Sequence, residues 1–174
     1  MMINAPDMLI AARFCMAAAG VNVTYEIRKG ALVLSSTQEH MSDGRFDVDK
    51  MIRLLEEAVS QSLADGHKGL WVTGDMTWEF GTERDFGLLH EYEYALEELF
   101  EKQPALSGIC QYHRDTLPVG ALQNALYTHQ GIYINETLSR ANPYYVPFAS
   151  PELPAASATN LQEMLNAIRQ PLRS

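Results

Sequence analysis

Cysteine is scarce in this chain of 174 residues: Cys15 and Cys110 are the only two. Two thiols cannot build a disulfide framework, so a reduced, cytosolic setting is expected. No charge-free apolar run approaches the roughly 18 residues of a membrane helix. Met8–Ala19 is apolar, but Asp7 precedes it and Arg13 interrupts it, the reverse of a leader's charge layout. Basic residues are also few, with 13 Lys and Arg against 22 Asp and Glu. Nine of those acids fall between Asp75 and Glu101, where Arg84 alone opposes them, so that stretch carries −8 of the net −9. Such a surface repels a phosphate backbone, which excludes direct nucleic-acid binding by this chain. Enzyme signatures are missing as well. There is no G-x-x-x-x-G-K-S/T loop to cradle phosphates and no G-x-S-x-G elbow, and His90-Glu91 lacks the second histidine of H-E-x-x-H.

What remains is a pattern of short apolar runs alternating with helices. Ala31–Ser36, Gly69–Met76, Ala105–Tyr112 and Gly131–Asn135 are rich in Val, Ile, Leu and aromatics, as strands buried on both faces of a parallel sheet are. Val48, Met51, Ile52, Leu55, Val59 and Leu63 recur at helical spacing, with Asp47 as N-cap and Gly66 as stop. Met8–Ala19 forms a helix ahead of the first of those strands. Pro118 opens another, whose inner face is Leu122, Ala125, Leu126 and His129. The alternation predicts a three-layer α/β domain on a mainly parallel sheet over residues 1–147. Pro147, Pro151 and Pro154 then mark a linker, and Leu161, Met164, Leu165 and Ile168 one face of a terminal helix over 148–174.

In the acidic helix, about Glu83–Glu101, the residues Leu88, Leu99, Tyr92, Leu96, Leu89, Phe100 and Phe86 form one apolar arc at 100° per residue. Glu93 falls inside that arc, where a carboxylate needs hydrogen bonds, a cation or a proton. Arg114 and His129 are the partners the sequence offers. Two readings stand side by side, a structural pair that fixes the helix and an acid lining a pocket. His129, on an apolar helix face, is equally a satisfied core residue or a ligand group. Ligands of α/β sheets bind beyond the carboxyl ends of the strands. Those ends present Ser35 and Ser36, then Asp75, Thr77 and Trp78, then Tyr112, His113 and Arg114, then Asn135. A thiolate–imidazole pair of Cys110 and His113 lacks an oxyanion site and an orienting acid, and a metal site on Cys110, His113 and His129 lacks a C-x-x-C or close histidine pair. No cofactor and no metal are expected.

Taken together, Gly74-Asp-Met-Thr-Trp78, Tyr92-Glu93, Cys110-Gln-Tyr-His-Arg114, His129 and Asn142-Pro-Tyr-Tyr145 resemble the MEDS family, with Gly30–Ser35 and Asp43–Phe46 looking similar too. MEDS is the sensory domain named for a dichloromethane-responsive repressor of methylotrophs. The resemblance covers about Met8 to Pro147. It implies a fold similar to RecA/KaiC-type ATPases without their P-loop, and a signal-input module for hydrocarbon derivatives that occurs beside helix-turn-helix or histidine-kinase modules. It also implies that Trp78, Glu93, Cys110, Tyr112, Arg114 and His129 form the shared core and line the sensing pocket.

Family members normally begin with a further strand–helix–strand ahead of the part matched by Met8–Gly20, and no counterpart is expected here. A sheet with so few strands leaves an open edge or apolar face, so a homodimer is expected, exchanging the Pro-linked terminal helix. The resulting expectation is a cytosolic, non-enzymatic sensory domain of a transcriptional or signalling regulator. Its effector would be a small organic compound, halogenated or one-carbon by family analogy, and its output module is unspecified. The alternative is a non-catalytic RecA-like scaffold that works by protein–protein contact. An enclosed apolar cavity bordered by Trp78, Tyr112 and His129 would separate the two.

Overall fold

The computed structural model describes residues 1–36, 40–42, 45–77, 86–134, 139–147 and 160–169. By their internal contacts they divide into two compact units, Met1–His113 and Arg114–Ser174.

The first unit is built on a four-stranded parallel sheet of β1 (Met2–Asn4), β2 (Leu34–Ser36), β5 (Leu70–Asp75) and β6 (Leu106–Gln111), in the order β2-β1-β5-β6. Helix α1 (Pro6–Ala18) and the short α2 (Val23–Arg28) connect β1 to β2. The two-stranded ribbon of β3 (Met41–Ser42) and β4 (Arg45–Phe46), followed by α3 (Val48–Ala64), leads back across β1 to β5. Helix α4 (Phe86–Lys102) joins β5 to β6. The first crossover runs one way from β1 and the second runs back past it. Right-handed crossovers in opposite directions place α1 and α3 on opposite faces, which gives three layers.

The α3/α4 layer holds the core. Met51, Leu55 and Val59 of α3 and Leu89, Tyr92, Leu96 and Leu99 of α4 are buried. Asp47 caps α3 as its sequence position predicts, accepting from the Lys50 N–H at 2.9 Å. Gly66 ends the helix with φ +84°, a conformation that only glycine adopts without strain. Gly108 answers a close approach instead, since a Cβ there would lie 2.9 Å from Val72 Cγ1 and 3.0 Å from Phe100 Cζ.

Two sequence expectations need correction. The fourth strand of the parallel sheet is Met2–Asn4 and not Gly131–Asn135. Residues Gly131–Tyr133 form β7, which pairs antiparallel with β8 (Ser139–Ala141) in a ribbon of its own. A hairpin closes a short loop at small entropic cost, and Gly131 and Tyr133 are exposed, so this strand lacks the double cover of a parallel-sheet strand. Asn135 lies outside the described residues, as does the proline-marked segment after Pro147. The second correction concerns His129. Helix α5 spans Val119–Thr128, and His129 follows it in extended conformation (φ −116°, ψ 126°) rather than extending the helix's inner face.

The second unit has its own core. Leu126 and Tyr127 of α5 cluster with Leu161, Met164 and Ile168 of α6 (Leu161–Arg169), with Ile132, Tyr144 and Val146 packed against them. The terminal helix therefore docks on α5. Among the described residues no helix is long and apolar enough to cross a membrane.

Candidate functional site

The order β2-β1-β5-β6 makes the C-terminal ends of β1 and β5 the switch point, where the crossovers leave in opposite directions and ligands of α/β sheets generally bind. Polar residues gather at the strand ends. Asn4 closes β1 and is fully buried, with no hydrogen-bond partner at either amide atom among the described residues. Buried Ser35 and His40 are joined at 2.8 Å between Oγ and Nε2. Asp75 closes β5, and its Oδ1 accepts from the Thr77 N–H at 2.9 Å and from the Thr77 hydroxyl at 2.7 Å. His113 Nε2 lies 3.8 Å from the other Asp75 oxygen.

On the α3/α4 side of the sheet, side-chain alternation aims Cys110 toward α4, as it does Gly108 and Leu106. Glu93 comes down on it from α4. This carboxyl group is only 5% exposed, as its place inside the apolar arc predicts. The Tyr112 hydroxyl donates a short hydrogen bond to Glu93 Oε1, and the Cys110 thiol donates to Oε2 at 3.7 Å. Tyr112 was not among the partners the sequence suggested for Glu93. Cys110 also lines an apolar void of about 20 Å³, together with Ile3, Leu55, Val72, Met76, Tyr92, Leu96 and Phe100. That volume admits about one water-sized body. Tyr92 is held in this wall by an edge-to-face contact with Phe46, ring centres 5.0 Å apart.

Of the residues picked from the sequence, Glu93, Cys110 and Tyr112 are thus brought together. Trp78 lies outside the described residues. Arg114 and His129 belong to the second unit. There Arg114 is exposed and its Nη2 donates to Gln162 Oε1 at 3.1 Å. His129 Nδ1 lies 2.8 Å from the Ala125 carbonyl oxygen. A carbonyl can only accept, so Nδ1 carries the proton, and the ring is held as a neutral tautomer or as the cation. The His129 carbonyl in turn accepts from Asn142 Nδ2 at 2.7 Å.

Sequence reasoning missed Asn4. The signal was present in Met2-Ile3-Asn4-Ala5-Pro6, a short apolar run closed by Asn and by a proline suited to a helix's first turn.

His90, one turn before Tyr94 on α4, packs edge-to-face on that ring at 4.5 Å between centres. Both its ring nitrogens are buried without a hydrogen-bond partner among the described residues. Burial lowers its pKa from the ordinary histidine value, and the nearby Glu93 charge acts against that shift. The native state thus resists the proton that the unfolded chain accepts below about pH 6.5. Stability is therefore full above that pH and declines as pH falls toward the lowered native value. Urea titrations between pH 7.5 and 5 should show this decline, and His90→Phe, which keeps the ring contact, should flatten it. An unchanged slope in that variant would refute the assignment.

The two thiols should also differ in reactivity. Cys15 is exposed, whereas Cys110 is half-buried and donates its proton to a carboxylate. Under native conditions at neutral pH, a thiol reagent should label one equivalent rapidly. Mass mapping should find it on Cys15, and fast labelling of Cys110 would mean the trio is open to solvent.

A family model described as MEDS, the methanogen/methylotroph DcmR sensory domain, matches residues 1–130. The chain belongs to the MEDS family. No curated protein and no solved structure matches it. The MEDS match takes in β1 and α1 at one end and stops after His129 at the other, so Asn142–Tyr145 lie beyond it. All of Asn4, Asp75, Glu93, Cys110 and Tyr112 fall within it. MEDS domains are sensory, and the buried acid is therefore a feature of a sensory domain.

Proposed function

We propose that this MEDS domain is the signal-input module of a transcriptional or signalling regulator, and that it takes a small organic effector at the Glu93–Tyr112–Cys110 site. The observation that supports this reading is a buried carboxylate that accepts from a phenol and from the Cys110 thiol, and Cys110 also lines an apolar void. A polar tip with an apolar floor suits a compound of a few heavy atoms, one end of which hydrogen-bonds while the rest displaces nothing but dispersion partners. The void is about one water in size, so such a compound enters only as the wall yields. Met76 is the wall residue best able to do so, being unbranched with several rotatable bonds.

An occupied void would push α4 away from β6, and the populations of two arrangements would shift by the ligand's differential affinity for them. Halogenated and one-carbon compounds are the first candidates by family analogy. A thermal-shift screen of chloroalkanes, short alcohols, amines and nucleotides tests the reading. At one hundred times Kd a ligand adds about 2.7 kcal/mol of stability. The expected result is stabilisation by a small apolar compound that Tyr112→Phe weakens. If no compound stabilises the protein, the scaffold reading, in which protein contacts alone carry the signal, takes its place.

A further inference from the structure

Helix α1 has no buried residue. Its least exposed side chains, Leu9, Ala12 and Met16, lie within a 60° arc at 100° per residue and mark the inward side. Directly opposite stand Ile10 and Phe14, which are 55% and 74% exposed. Outward positions of a surface helix are normally polar, so a bare Phe beside a bare Ile stands out as an apolar patch on the outer face. Alanines 11, 17 and 18 surround the pair and leave room for close approach.

The only charges on the helix, Asp7 and Arg13, flank Ile10 at three residues on either side. That spacing is self-complementary. Two copies of α1 crossing antiparallel at Ile10 bring Asp7 of each to the height of the partner's Arg13, within the sweep of that long side chain. The electrostatics of the chain favour the same face. The whole molecule carries −9, but residues 1–33 hold three basic against two acidic residues. Two copies that meet here avoid the repulsion of the acidic stretch Asp75–Glu101.

We infer that α1 is a homodimerisation helix, packing antiparallel on a second copy of this chain across a two-fold axis at Ile10, with Phe14 as the apolar anchor and reciprocal Asp7–Arg13 pairs. The inference is independent of what the domain senses. It differs from a strand-edge or swapped-helix dimer in placing the contact on α1.

Sedimentation equilibrium of the full chain at micromolar concentration should give twice the 19.5 kDa of one chain. Phe14→Asp should weaken the association at least about tenfold, as loss of an interface anchor does. Its circular dichroism and melting should match those of a wild-type sample diluted to monomer, because the side chain it replaces is exposed. Asp7→Arg should also dissociate the dimer, and Asp7→Arg combined with Arg13→Asp should restore it. In a Cys15→Ser background, Ile10→Cys should oxidise to a covalent dimer. A monomeric wild-type chain, a dimer indifferent to Phe14→Asp, or a charge swap that fails to restore association would each overturn the assignment.

Discussion

Asn142→Ala should lower the stability of the second unit by about 3–4 kcal/mol. Asn142 is buried, and its side chain holds three backbone groups at once. Nδ2 donates to the carbonyls of Leu126 and His129, and Oδ1 accepts from the Tyr144 N–H at 3.0 Å. The two carbonyls belong to the last turn of α5 and the residue after it, where helices leave acceptors without intrahelical donors. Alanine removes both donors and the acceptor together, and each stranded buried group costs about 1–3 kcal/mol, partly recovered by local relaxation. Hydrogen exchange provides the readout, since Leu126 and Met164 anchor one cluster and their amides should lose protection together. Both tryptophans, Trp71 and Trp78, precede Arg114, so tryptophan emission follows the first unit and serves as an internal reference. Undiminished protection in α5 and α6 would show that Asn142 does not close that core.

Glu93→Ala should cost the first unit about 2–3 kcal/mol. The Tyr112 hydroxyl and the Cys110 thiol would lose an acceptor that water cannot readily replace at a site 5% exposed. Glu93→Gln, whose carbonyl still accepts one hydrogen bond, should cost less. Glu98→Ala is the control, because Glu98 sits on the exposed side of the same helix and pairs with Lys102 in solvent. Exposed pairs of this kind contribute about 0–1 kcal/mol, and the change should stay under about 0.5 kcal/mol. Urea titration followed by tryptophan emission compares the three variants. Equal midpoints for Glu93→Ala and Glu98→Ala would mean that the acid does not hold α4 on β6.

How far the sequence spoke for itself varies by element, for physical reasons. Helix α3 was legible to its cap, because Asp47 and Gly66 act within one turn of themselves and the spacing of Met51, Leu55 and Val59 needs no knowledge of what they touch. The inward turn of Glu93 was equally local, being fixed by helical geometry. The strand Met2–Asn4 was not legible. Three residues are too short for periodicity to register, and they become the centre of a sheet only because Leu34–Ser36 and Leu70–Asp75 pair on either side. Gly131–Asn135 failed in the opposite direction. It reads as a buried strand by composition, yet the pairing of Gly131–Tyr133 with Ser139–Ala141 is a matter of what lies nearby in the chain.

By itself, then, the sequence determined the alternation of helix and strand, the concentration of acidic residues between Asp75 and Glu101, and the placement of one carboxylate among apolar neighbours. These are properties of composition and of contacts a few residues long. Only the tertiary structure decided that Tyr112 and Cys110 are what that carboxylate meets, and that Asn4 stands at the switch point with no partner among the described residues. It alone shows that Ile10 and Phe14 face outward from a helix apolar on nearly every side. Those facts depend on which strand lies beside which and on which side of a helix the sheet occupies, and no local spacing encodes either.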